Sequence, residues 1–179
     1  KLPHLVFLQG GPGGKGPRQG DFRDGWIGEA LKEFRVVLLD QRGTGQSTRM
    51  DWQALQELTD DQARADHLML FRQDQIIKDA EAFRAEITDG AKWTTLGQSY
   101  GGFLTLDYLS TAPEAIEASL VTGGLPGLVH VDDIYRLSYE KTAARNRFYF
   151  SRYPGDEQKI REVAAHVRDT EELLHTGER

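Results

Sequence analysis

Apolar residues in this chain of 179 residues follow two patterns. At residues 5–8, 36–39, 93–96 and 119–122 they form short apolar or β-branched runs, each followed closely by glycine or aspartate. Runs of that length and composition predict buried strands. Between them, apolar positions recur at helical spacing. Trp26, Ile27, Ala30, Leu31 and Phe34 form one stripe, and Ile76, Ile77, Ala80, Phe83 and Ile87 form another, with Gly90 after the expected helix end. Both stripes read as core facing a sheet. A third helix, about residues 103–110, follows the third run and should stop before Pro113. Alternating strands and helices predict an α/β chain with a parallel sheet covered by helices. After Pro126 the pattern changes. Residues 131–150 scatter Tyr135, Tyr139, Phe148, Tyr149 and Phe150 among charges, and residues 155–174 read as a further polar helix.

Composition narrows the function. A hydrophobic share of 39% and a charged share of 28% are ordinary for a globular chain. The net charge of −6, with no basic stripe, argues against nucleic-acid binding. No apolar run reaches membrane-spanning length, so no membrane partner is expected. The absence of cysteine rules out disulfides and thiolate chemistry. No His, Asp and Glu cluster has metal-ligand spacing, so no metal or other cofactor is expected. These features fit a cytoplasmic enzyme.

The chemistry-bearing residues lie at the ends of the predicted strands. Gly97-Gln98-Ser99-Tyr100-Gly101 reads as G-x-S-x-G between a strand and a helix, the context in which a serine is held on a tight elbow with its hydroxyl exposed. A Ser N-cap in a glycine-rich turn is the structural alternative. Gln9-Gly10-Gly11-Pro12-Gly13-Gly14 ends the first strand in exposed backbone N–H groups. A serine hydrolase needs two such donors for its oxyanion, one after the nucleophile and one from a glycine loop. Tyr100 suits the first role, and Gly10 and Gly11 suit the second. Gly11, Gly13 and Gly16 also satisfy G-x-G-x-x-G, with Asp40 placed where a ribose-binding acid would sit. Pro12 and Pro17 count against that dinucleotide reading, because each removes an N–H that a pyrophosphate would use. A Walker-type loop fails, because Gln9 stands at the required glycine and Gly16 at the required Ser or Thr. Asp40 and Arg42 read as pins for the loop that ends the second strand.

Taken in order, Gly10-Gly11-Pro12-Gly13, Asp40-Gln41-Arg42-Gly43-Thr44-Gly45 and Gly97-Gln98-Ser99-Tyr100-Gly101-Gly102 resemble the α/β-hydrolase fold, and more narrowly the prolyl aminopeptidase (proline iminopeptidase) family. The runs from Thr122 to Pro126 and from Arg145 to Tyr149 are similar to that family too. One departure is Gln9, where many members carry histidine. The resemblance implies a serine aminopeptidase in which Ser99 forms an acyl-enzyme and releases an N-terminal residue, with N-terminal proline favoured. Its partner would be a peptide with a free N-terminus. An esterase or broader aminopeptidase on the same scaffold, or a non-catalytic hydrolase-like module, are the alternatives.

In this fold the triad order is Ser, then Asp or Glu, then His. His130, His166 and His175 follow Ser99, but no apolar strand run precedes any of them; His4 and His67 come before it. The expectation is therefore a partial chain: residues 1–126 as a hydrolase core lacking its first and last strands, and residues 127–179 as the start of a helical cap. The acid and the base would lie on the remainder of the hydrolase, on another segment or chain, and the piece alone should be nearly inert. Within the cap, Asp132 and Glu140 are candidate anchors for a substrate amine on chemistry alone, while a solvated helix face is the simpler reading. The cap aromatics could line a proline pocket or pack onto the core.

Overall fold

The computed structural model describes residues 2–18 and 25–170. Contacts divide the chain into two compact units, Lys1–Pro126 and Gly127–Arg179.

The first unit is a parallel sheet of four strands: β1 (His4–Leu8), β2 (Arg35–Leu38), β3 (Trp93–Gln98) and β4 (Ile116–Thr122), in the order β2-β1-β3-β4. All four predicted strands form, with ends that coincide or differ by up to three residues. β1 lies in the middle and is buried along its length, as its unbroken apolar run requires. Its neighbours meet it in register, Val6 opposite Val37 on one side and Thr95 on the other. Placing all strands parallel puts the loops after β1, β2, β3 and β4 at one end of the sheet.

The helices of this unit are α1 (Gly25–Ala30), α2 (Trp52–Gln56), α3 (Asp61–Met69), α4 (Gln73–Thr88) and α5 (Tyr100–Thr111). The first apolar stripe is only partly realised. α1 ends at Ala30, so Leu31 and Phe34 fall beyond it; Ile27 is buried while Trp26 and Leu31 are exposed. α4 turns Ile76, Ile77 and Ala80 onto the core and leaves Phe83 and Ile87 exposed. Its end is a left-handed Asp89 (φ 55°) followed by Gly90 (φ 78°). α2 and α3 were not evident from periodicity. Each is opened by an aspartate cap, Asp51 accepting from Ala54 N–H and Asp60 from Ala63 N–H. The core gathers Val6, Leu8, Ile76, Ile77, Ala80, Trp93, Leu104 and Tyr108. Within it Trp93 Nε1 donates to Tyr108 Oη at 3.1 Å, and Tyr108 donates to Glu81, which Arg84 pairs at 2.8 Å.

The second unit holds α6 (Val131–Arg152) and α7 (Pro154–Asp169). Neither carries a buried residue. Ile134, Tyr135, Leu137, Tyr139, Phe148 and Tyr149 are exposed on α6, and Ile160, Val163 and Val167 on α7. No described helix is long and apolar enough to cross a membrane.

Candidate active site

β3 delivers the chain to Ser99, where the backbone reverses hand. Ser99 has φ 54° and ψ −118°, an uncommon conformation for a residue with a side chain, and α5 starts at the next residue. Glycine is needed on either side for lack of space rather than for flexibility. A Cβ on Gly97 would lie 2.3 Å from the Gly101 carbonyl oxygen, and one on Gly101 would lie 1.8 Å from that of Leu8. The elbow therefore folds tightly on itself and against the end of β1.

Two further loops close around it. Gly10 abuts the elbow, since a Cβ there would come 2.7 Å from Ser99 Cβ. Gly124, in the run after β4, leaves no room either: its Cβ would sit 1.9 Å from the Ser99 carbonyl oxygen. The turns after β1, β3 and β4 thus meet as bare backbone at Ser99.

The loop after β1 is fixed by polar contacts. Gln9 Oε1 accepts from the Gly10 N–H at 2.8 Å, and Gln9 Nε2 donates to the Lys15 carbonyl at 3.2 Å. The Gly14 N–H returns to the Gly10 carbonyl at 3.1 Å. Among the described residues no hydrogen bond uses the Gly11 or Tyr100 N–H, so these two donors stay open while that of Gly10 is taken. The Ser99 hydroxyl likewise has no hydrogen bond among the described residues.

The loop after β2 grips the same glycine loop. The Asp40 carboxylate accepts from Gly16 N–H at 2.8 Å, from Gln46 N–H at 2.9 Å and from Arg18 Nη2 at 2.7 Å. Burial by itself would raise the Asp40 carboxyl, but the Gln46 and Gly16 donors and the Arg18 charge outweigh it and hold it below the usual carboxylate value. Those contacts, together with the absence of a helix directly after Gly16 among the described residues, leave the ribose-binding reading of Asp40 without support. Arg42 does not pair with Asp40. It forks onto Asp79 of α4, with Nε and Nη2 at 2.7 and 2.6 Å, and Nη1 reaches the Leu70 carbonyl at 2.5 Å. Gln41, 3% exposed, donates through Nε2 to the Gln9 carbonyl at 3.0 Å.

A hollow of about 260 Å³ beside this site is lined by Pro12, Gly13, Gln41, Thr44, Met50 and Tyr100, among others. A larger one of about 480 Å³, lined in part by His67, Phe71 and Phe83, includes neither Ser99 nor a loop glycine.

Of the histidines, His4 begins β1, at the strand end away from the elbow, and is 7% exposed. His67 on α3 packs against the Phe71 ring at 5.1 Å. His130 caps α6, its Nδ1 accepting from Asp132 N–H at 3.2 Å, and His166 lies in α7. His175 falls outside the described residues. Asp132 and Glu140 are exposed on α6. Gln41 and Gly124 were missed as site residues. Both lie in runs that carry the family resemblance, but Gln41 stands among charges and reads as solvent-facing, and the contact of Gly124 with Ser99 exists only once β4 is paired beside β3.

Comparison with known proteins supports the fold and the family. Residues 3–171 match the alpha/beta hydrolase fold family. A proline iminopeptidase of Aeromonas sobria is 42% identical over 180 residues, which take in 100% of this chain and 42% of that protein. Proline iminopeptidase aneH of Aspergillus aculeatus is 31% identical over 186 residues, covering 99% of this chain and 41% of its own. The solved structure of BpoC from Mycobacterium tuberculosis overlays 82% of this chain and 46% of its own with a TM-score of 0.51 at 18% identity, a likeness of fold alone. The chain spans less than half the length of the curated relatives it matches.

Proposed function

This chain belongs to the alpha/beta hydrolase fold family, and on that premise we propose that it carries the nucleophile and oxyanion loop of a serine aminopeptidase that releases N-terminal proline from peptides. The observation behind this reading is Ser99 itself: a serine at φ 54° on a strand-to-helix elbow, ringed by backbone from three loops, with two open N–H donors nearby. Its hydroxyl would attack the carbonyl of the N-terminal residue. The tetrahedral oxyanion would be held by the Tyr100 N–H and the glycine loop, and collapse would give an acyl-enzyme that water then hydrolyses.

Between the two loop glycines, the contacts favour Gly11 as the donor. Gly10 spends its N–H on Gln9 Oε1, whereas that of Gly11 is uncommitted among the described residues. Gly10 instead supplies the close approach to Ser99.

A serine hydroxyl needs an adjacent base. We assign base and orienting acid to parts of the hydrolase outside these residues, as the greater length of the relatives allows. We assign residues 127–179 to the start of a helical cap; Asp132 and Glu140 are exposed on α6.

The test uses the complete polypeptide that carries this chain. It should hydrolyse a proline arylamide in preference to a simple acyl ester, and a fluorophosphonate should add once to it, with both signals lost in Ser99→Ala. Ester preference would move the assignment to an esterase. A folded protein that takes no probe would make the chain a non-catalytic hydrolase-like module.

A further inference from the structure

We propose that Gln41 is a positioning residue for the oxyanion: its carboxamide holds the glycine loop where the Gly11 N–H can face the Ser99 adduct. This rests on the serine-hydrolase reading above.

The case begins with a buried polar group. Gln41 is 3% exposed although it stands between Asp40 and Arg42, and a buried carboxamide must be satisfied. Its Nε2 donates to the carbonyl of Gln9, a residue 32 positions earlier and the first of the glycine loop. Gln9 passes the constraint on, because its own Oε1 takes the Gly10 N–H. One carboxamide therefore fixes the Gln9 peptide, a second fixes the next N–H, and the donor after that is Gly11.

Gln41 is itself held firmly. Its carbonyl accepts twice from Thr44, from the backbone N–H at 2.9 Å and from Oγ1 at 2.8 Å, and Thr44 is 8% exposed. Its neighbours are anchored as well, Arg42 on Asp79 and Asp40 on Gly16. Asp40 holds the far end of the same glycine loop that Gln41 holds at its start. The loop after β2 thus clamps both ends of a segment whose glycines would otherwise let it shift.

Oxyanion donors work only at 2.7–3.1 Å from where the charge develops, and an ångström of misplacement costs on the order of 100-fold. Releasing the clamp should therefore slow the chemical step without weakening substrate binding. Gln41→Leu keeps the bulk and removes the donor.

The experiment measures kcat and KM on a proline arylamide, and the rate of fluorophosphonate labelling, in the complete polypeptide. Gln41→Leu should lower kcat and the labelling rate by about 10- to 100-fold, with KM within about twofold of the parent. A folded Gln41→Leu with unchanged kcat, or with its loss confined to KM, would overturn the proposal. If Gln41→Leu does not fold, Thr44→Val decides in its place. Losing one of the two bonds to the Gln41 carbonyl should lower kcat by a few-fold at constant KM, and an unchanged kcat would overturn the proposal. The underlying reading fails differently: the parent protein itself would show no Ser99-dependent turnover or labelling.

Discussion

The backbone N–H of Ser99 donates to the carbonyl of Thr122 at 2.9 Å. That bond continues the pairing of β3 with β4, in which Gln98 stands opposite Thr122, by one residue beyond the strand end. The Ser99 backbone is therefore the last rung of a parallel ladder, and its position is set by the strand beside it as well as by its own turn. Gly123 and Gly124 follow at once, so that the chain leaving β4 can pass under the Ser99 carbonyl.

Gly124→Ala should test that arrangement directly. The new methyl would meet the Ser99 carbonyl oxygen at 1.9 Å, a backbone atom with nowhere to go. The expected cost is about 3 kcal/mol of unfolding free energy, together with loss of Ser99 reactivity. Gly127→Ala, whose Cβ would find only Val129 Cγ2 at 3.6 Å, should stay within about 0.5 kcal/mol of the parent. Denaturant titration of the two variants makes the comparison.

The positive φ of Ser99 should be measurable as strain. Ser99→Ala removes the hydroxyl but keeps a Cβ in a conformation that L-residues avoid, whereas Ser99→Gly relieves it. Ser99→Gly is expected to be about 1 kcal/mol more stable than Ser99→Ala, with neither variant hydrolysing substrate. Equal unfolding midpoints would mean that the elbow costs the fold nothing.

Acid should loosen the glycine loop. The Asp40 carboxyl is held below its ordinary value in the folded state, so between roughly pH 3.9, the unfolded value, and the lower folded one, the unfolded chain binds the proton more readily. Stability from this group is complete above that window and is lost as pH falls through it. Asp40→Asn should be less stable at neutral pH and should show a shallower decline on acidification. Urea midpoints for both proteins between pH 6 and pH 3 (a range of about three units) provide the check.

The fork between Arg42 and Asp79 joins the loop after β2 to α4, and both side chains are partly exposed, at 25% and 36%. A double-mutant cycle with Arg42→Met and Asp79→Asn should give a coupling of about 1 kcal/mol, the upper end for exposed pairs because the contact is bidentate. High salt should shrink it. A coupling near zero would assign the loop's order to Asp40 and Gln41 alone.

Which parts of the molecule were legible beforehand follows from how local their causes are. Each strand is announced by a continuous apolar or β-branched run, and α5 by its elbow and by Pro113, so these needed no partner to be read. α2 and α3 carry no apolar period; only Asp51 and Asp60 mark them, as caps that a periodicity search passes over. The stripe from Trp26 to Phe34 misled because helical spacing does not say where a helix stops. Ser99 and the loop glycines were visible as a motif. Gln41 stands inside a motif too, but its role was not legible, because its burial exists only once β2 lies beside β1. The pairing of Arg42 with Asp79, rather than with Asp40, likewise depends on where α4 comes to rest.

The strand order also governs when the site can come into being. β1 precedes the other three strands in sequence yet lies inside the sheet, paired to β3 through Leu5 and Thr94, and β3 to β4 through Gln98 and Thr122. No local hairpin can bring these segments together; each contact waits for a long stretch of chain to be made and looped back, the slow kind of closure. During synthesis the glycine loop is thus exposed well before the serine exists, and the serine elbow precedes the Thr122 carbonyl that fixes it. The elbow's geometry is a late product of folding: a chain stalled or misdocked before β4 pairs would carry every residue of the elbow and none of its alignment.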